Sequence, residues 1–320
     1  MQQHPPSHWL MLTALVIMWG SAFALIHISV ETIPPLTGVA GRLILATLIL
    51  IPPLLIQKRR IPGLPRTWRP SEDKNAAIWG WLFVVAVTGN ALPFSLIMWG
   101  QTEVDSGLAS ILVSFAPLVT LVLAHFVYAD ERLTKIRFLG IIFAFIGICV
   151  LVGPSALGQL GSRSAFWHQL AMLLAAIGYG TSIVAARQLP DLHPLVAGTC
   201  LSLISAVIIT PFALIFESPW SVSPSMASLW AIALLGLFPT ALANILFFKA
   251  VDEAGPGFVA LSNYLMPLWA VLLGMILFGE QITLFMVLGM AMILGGVALG
   301  ALRKSAEEPA EAVKPPEGSG

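Results

Sequence analysis

Few side chains in this sequence are equipped for chemistry, and nearly all of them stand inside long apolar runs. Asn90, Phe94, Ile97 and Met98 recur at helical spacing and share one face of a run near 76–99, and Asn244 and Phe248 do the same near 227–249. An amide beside aromatic rings offers donors and acceptors to a polar headgroup and a wall to an apolar side chain, which suits a zwitterion. The other use of the same residues is to glue helices together. Ser106, Ser110 and Ser114 repeat every four residues in the next run, where small-residue packing also explains them, and Asn263 and Tyr264 occupy the corresponding part of a run near 257–278. A phenol in mid-run needs a hydrogen-bond partner. Trp19, Phe23 and His27 share a face of the first run, and Tyr179 is the counterpart of Trp19 in a later one. The expected solute contacts are Trp19, Asn90, Phe94, Met98, Ser114, Tyr179, Asn244, Phe248, Asn263 and Tyr264.

Arg42 is the only basic residue well inside a run. It either attracts a solute carboxylate or reaches outward to Glu31 as a clamp. Together with Pro117 and Pro267, which each free a backbone carbonyl and are expected to kink their helices at equivalent depth, it is read as a structural or gating position.

Other chemistry lacks its residues. No run offers paired aspartates, a Ser–His nucleophile and base, or a histidine cluster for a metal, and His4 and His8 merely bracket two prolines. There is no GxxxxGK[ST] loop for nucleotide phosphates. No enzyme, metal or cofactor is expected. Acidic residues lie at the ends of runs and never in their middle, so proton coupling would fall to His27 or His125, and facilitated diffusion is an equal expectation.

These residues must be positioned by elements that lipid tolerates. The chain of 320 residues is 58% hydrophobic and 10% charged, whereas an average soluble domain is about 25% charged. Sixteen basic residues balance sixteen acidic ones, so no cationic field exists to bind nucleic acid. Cys149 and Cys200 sit in apolar runs as small hydrophobes. Crossing a bilayer takes about 20 apolar residues, and ten such runs occur, near 9–30, 36–56, 76–99, 107–128, 136–155, 166–186, 194–216, 227–249, 257–278 and 282–302. In lipid each run must satisfy its own backbone hydrogen bonds, which makes it a helix. Fourteen of the sixteen basic residues fall on the side of the termini, which places both termini in the cytoplasm. Residues 303–320 are rich in Pro, Glu, Ala and Gly and are expected to form a disordered cytoplasmic tail.

The chain is also duplicated. A shift of 150 places Ala91, Leu92, Leu96, Glu103, Gly107, Pro117 and Leu118 on Ala241, Leu242, Leu246, Glu253, Gly257, Pro267 and Leu268. A shift of 160 places Ile17, Gly20, Pro34, Gly38 and Leu43 on Ile177, Gly180, Pro194, Gly198 and Leu203. Five runs per half is an odd number, so the halves, 9–155 and 166–302, enter the membrane from opposite sides. The fold expected is an all-α membrane protein of ten transmembrane helices in two inverted five-helix repeats. Inverted repeats are a common plan of secondary transporters, with a solute site near the midplane between the halves and access that alternates.

At Trp19-Gly20-Ser21-Ala22-Phe23, at Pro35 to Arg42, and at the Pro117–Glu131 and Pro267–Glu280 segments that close each half, the sequence resembles the ten-helix EamA-type exporters of the drug/metabolite transporter superfamily. Ala129-Asp130-Glu131 departs from the Gly279-Glu280 form of that closing motif. Within the family it looks most like bacterial exporters of amino acids, aromatic ones included. The resemblance implies export of small metabolites, most of all neutral or aromatic amino acids, and a monomer or homodimer in the inner membrane is expected. Export of other metabolites or drugs, or a solute channel, is the alternative.

Overall fold

The computed structural model describes residues 5–59, 73–128, 134–158, 163–190, 192–259 and 261–301. The tail expected at 303–320 lies outside them. Among the described residues there are ten apolar helices and no strand. They are α1 Pro6–Val30, α2 Pro35–Ile56, α3 Ala77–Gly100, α4 Ser106–Val127, α5 Lys135–Gly158, α6 Arg163–Ala186, α7 Pro194–Phe216, α8 Met226–Ala254, α9 Ser262–Phe278 and α10 Leu284–Ala301. All ten expected runs are present.

Proline sets several starts. Pro6, Pro35 and Pro194 stand in the first turn of α1, α2 and α7, where the missing N–H would have no partner in any case. At the other end of a helix, Gly279 takes a left-handed φ of 66° and stops α9. The Glu280 N–H then returns to the Gly274 carbonyl at 3.2 Å, the six-to-one bond of a Schellman turn, and the Glu280 side chain is thrown back across the bundle.

The helix contacts obey the inversion. α1 packs on α9 as α6 packs on α4, α3 lies on α6 as α8 lies on α1, and the self-related pairs α2–α7 and α5–α10 each join one half to the other. Matching glycines allow the matching approaches. A Cβ on Gly20 would sit 2.7 Å from the Trp269 ring, and one on Gly180 would sit 2.8 Å from Val119 Cβ, residues that the repeat superimposes. The central buried cluster mixes both halves, with Val39, Leu43, Met98 and Leu112 against Met172 and Leu235. Outward faces carry large apolar residues such as Leu48, Ile215 and Phe216, suited to lipid.

The two prolines differ from expectation. α4 is interrupted at Ser114–Phe115, just before Pro117, whereas α9 keeps helical geometry through Pro267 and its break falls earlier, before Ser262. A proline N–H is missing in both, but only α4 gives up the turn.

Candidate solute site

Both α3 and α8 contain one wide π-helical turn, at Val87–Ala91 and at Gly236–Leu242. The 150-residue shift lays one upon the other. Pro239 has no N–H for the Leu235 carbonyl, and the Thr240 hydroxyl donates to that oxygen instead, at 2.7 Å. Around the first turn the carbonyl of Ala86 accepts from Ser205 of α7 at 3.0 Å, and that of Val85 from Ser182 of α6 at 3.4 Å. In the second, the Pro239 carbonyl accepts from the Trp19 indole of α1 at 3.2 Å. Each wide turn therefore leans on the first two helices of the opposite half.

Arg42 stands where these elements converge. Its Nε and Nη2 donate to the Thr240 hydroxyl oxygen at 3.2 and 2.8 Å, and its guanidinium carbon lies 3.9 Å from the centre of the Phe94 ring. The Tyr179 phenol is near enough to couple electrostatically. Helices α2, α3 and α8, from both halves, thus meet at one guanidinium that is 3% exposed. The clamp to Glu31 does not form: the guanidinium turns inward to Thr240 rather than outward along the helix.

The other expected contacts divide. Asn90, one turn before Phe94 on the same face, has no hydrogen-bond partner among the described residues. Asn244 spends its amide on the Thr240 carbonyl one turn back, at 2.7 Å, and Ser114 its hydroxyl on the Ile111 carbonyl at 2.6 Å. Met98 is fully buried against Gly38, where it packs α3 on α2. Trp19 packs on Phe247, with ring centres 5.5 Å apart, while its indole N–H holds the Pro239 carbonyl beside Thr240. Asn263 is partly exposed near the start of α9. The side chains of Phe248 and Tyr264 lie outside the described residues. Sequence reasoning missed Thr240, whose signal was its register with Asn90 under the repeat. Ser202, legible as the repeat counterpart of Arg42 but given no role there, has a buried hydroxyl without a partner among the described residues.

On the face opposite the termini, carboxylates latch the halves together. Glu280, after α9, accepts from Ser106 N, Ser106 Oγ and Gly107 N at 2.8, 2.6 and 2.9 Å, capping α4 of the other half. Glu217, after α7, accepts from Leu36 N, Thr37 N and Thr37 Oγ1 at 2.9, 2.7 and 2.8 Å, capping α2. A carboxylate is favoured there by the helix dipole and by the unpaired N–H groups of the first turn. Thr32 donates to Ser228 at 2.7 Å in a third bridge. On the terminal face, α7 is capped by its own His193, and the repeat copy of Glu280, Glu131, lies outside the described residues.

Beside the Glu280 latch, a cavity of about 550 Å³ is lined by His27, Asp105, Gln169, Phe278 and Glu280 among others. Burial raises the Asp105 carboxyl above its usual range, nearby Glu280 adds to the shift, and His27 opposes it. A raised folded-state value means the native protein holds the proton longer than the unfolded chain, so this group's contribution to stability falls as pH rises through the acid range. Asp105→Asn is accordingly expected to unfold at the same temperature as wild type in acid and slightly above it at neutral pH, as read by thermal melts in detergent at several pH values.

The fold and the interface site define a multi-pass membrane transporter of two inverted repeats. A family model described as the EamA-like transporter family matches residues 7–153 and again 166–301, and the chain belongs to that family. It is a transporter and not an enzyme. The uncharacterized inner membrane transporter YedA of Escherichia coli (strain K12) is 28% identical over 293 residues, covering 92% of this chain and 90% of that protein. The uncharacterized transporter YoaV of Bacillus subtilis (strain 168) is 23% identical over 287 residues, covering 89% and 94%. Protein PagO of Salmonella typhimurium is 24% identical over 271 residues, covering 83% and 84%. One solved protein structure shares the fold, with a TM-score of 0.62 at 20% identity over 92% of this chain and 97% of that one.

Proposed function

We propose that this transporter exports small metabolites, foremost neutral or aromatic amino acids, across a bacterial cytoplasmic membrane by alternating access between its two halves. The excess of basic residues on the side of the termini supports a cytoplasmic position for both, and the inner-membrane name of a relative supports the choice of membrane. The observation that carries the reading is the pair of π-helical turns at equivalent places in α3 and α8, each leaning on the opposite half. A wide turn frees backbone carbonyls from the helix at the interface that must move, and side chains take them up here, most of them from the opposite half, which is where a carrier holds its solute. The Phe94 ring, the Tyr179 phenol and the unpaired Asn90 amide offer both apolar and polar contacts there. The Glu280 and Glu217 latches support a conformation closed to the periplasm.

Efflux of labelled amino acids from proteoliposomes, with and without a pH gradient, tests this. Neutral and aromatic amino acids are expected to leave well above empty liposomes, and Asn90→Ala to slow them several-fold. Flux no greater than that of empty liposomes for the whole panel would remove the amino-acid reading.

A further inference from the structure

Among the described residues Arg42 is the only Lys, Arg, Asp or Glu that is buried, and no carboxylate stands within ion-pair distance of it. A guanidinium taken out of water without a counter-charge is heavily disfavoured. The protein supplies only partial compensation. Nε and Nη2 share one neutral hydroxyl, that of Thr240, and the ring of Phe94 lies under the plane. The Thr240 proton is already committed to the Leu235 carbonyl, which turns the hydroxyl lone pairs toward Arg42 and leaves no further acceptor there. Nη1 has no hydrogen-bond partner among the described residues. The result is a planar fork whose outer edge makes no hydrogen bond to the described residues, at a meeting point of helices from both halves.

We propose that Arg42 is the anchor for a single carboxylate on the transported solute. The inference deepens the exporter reading above and rests on it. Two parallel N–H groups match a carboxylate in both geometry and charge. One cation, with no second one buried near it among the described residues, suits a monoanion better than a doubly charged phosphate. It also repels cations, which excludes cationic drugs from this site. Because α2 and α3 belong to one half and α8 to the other, the bound anion would neutralise the interface across which the halves move. A loaded carrier therefore crosses between states more readily than an empty one.

The test uses purified full-length protein, wild type, Arg42→Gln and Arg42→Lys, in proteoliposomes and in detergent melts. Four probes share one ring: L-phenylalanine, 3-phenylpropionate, L-phenylalaninamide and 2-phenylethylamine. Wild type is expected to move the carboxylates and to move the amide and the amine at least about tenfold more slowly. Arg42→Gln is expected to lose carboxylate flux by on the order of a hundredfold while melting at or above the wild-type temperature, because it removes an uncompensated buried charge. Arg42→Lys should fall between. A clamp would behave otherwise, with Arg42→Gln melting well below wild type and flux surviving in the folded fraction, and that result overturns the proposal. If phenylpropionate moves and phenylalanine does not, the anchor stands and the amino-acid reading falls. If phenylalaninamide moves as fast as phenylalanine, export stands and the anchor falls. Movement of none of the four overturns both.

Discussion

Glu280→Ala is expected to open the face opposite the termini and to slow export at least about tenfold. The carboxylate makes three charge-assisted bonds to the first turn of α4. Each such bond contributes about 1.5–3 kcal/mol when both partners are native, and removal of the acceptor leaves the Ser106 and Gly107 N–H groups exposed to whatever water reaches them. Asp105, which directly precedes α4, gives no side-chain bond that could replace it. Even a net loss of about 2–4 kcal/mol in the closed state shifts its population by roughly 30- to 1,000-fold. A cysteine at Gln169, on the wall of the adjoining cavity, in a background lacking Cys149 and Cys200, reports the change. Its labelling by a membrane-impermeant maleimide should accelerate at least about tenfold in Glu280→Ala, and Glu280→Asp should restore part of the wild-type protection. Unchanged labelling would show that the carboxylate caps a helix without holding the halves together.

Gly296→Leu is expected to abolish folding or to lower the melting temperature by roughly 10 °C or more. A Cβ at Gly296 would meet the Gly140 carbonyl oxygen, and it would sit 2.7 Å from the Ala144 methyl and 2.9 Å from the Ala144 nitrogen. Two of those three atoms are backbone, which cannot rotate away. From the other side, a Cβ on Gly147 would lie 2.8 Å from Met292 Cβ and 3.0 Å from the Gly289 carbonyl. Overpacking a close helix contact costs about 1–3 kcal/mol where side chains yield and more where backbone must part, and α5–α10 is one of the contacts that join the halves. Size-exclusion profiles and melts of the detergent-solubilised variant read this. Gly295→Leu is the matched control, since a Cβ at that position has only the Phe143 ring near it, at 3.3 Å. Equal stability of the two variants would contradict the packing argument.

Much of this architecture is legible in the residues. Ten apolar runs, two registers of repetition and an odd number of helices per half lead to the inverted fold, because lipid leaves a backbone no other option. Arg42 also stands out, as any charge does in such company. Its direction does not. Whether a long side chain reaches outward to Glu31 or inward to Thr240 depends on what the other half presents, and that is a contact across 198 positions. The π-helical turns were hidden for a related reason. Pro239 announces a disturbance in α8, yet a proline signals a kink, a break or a widened turn with equal force, as Pro117 and Pro267 show by behaving differently. Asn244 looked like a lining residue because it shares a face with Phe248 as Asn90 does with Phe94, but a short amide can turn its N–H back to its own helix, and here it does. Glu280 and Glu217 were visible as charges at helix ends. Their caps join distant segments, which spacing along the chain does not reveal.

Counterflow is the most direct test of the central claim, that two inverted halves carry a solute by exposing one site to each side in turn. Proteoliposomes preloaded with unlabelled phenylalanine and diluted into a trace of labelled phenylalanine should accumulate label transiently above the outside concentration, at a rate several-fold above that of unloaded vesicles. Equal uptake by loaded and unloaded vesicles, with simple equilibration and no overshoot, would describe a pore and would contradict alternating access.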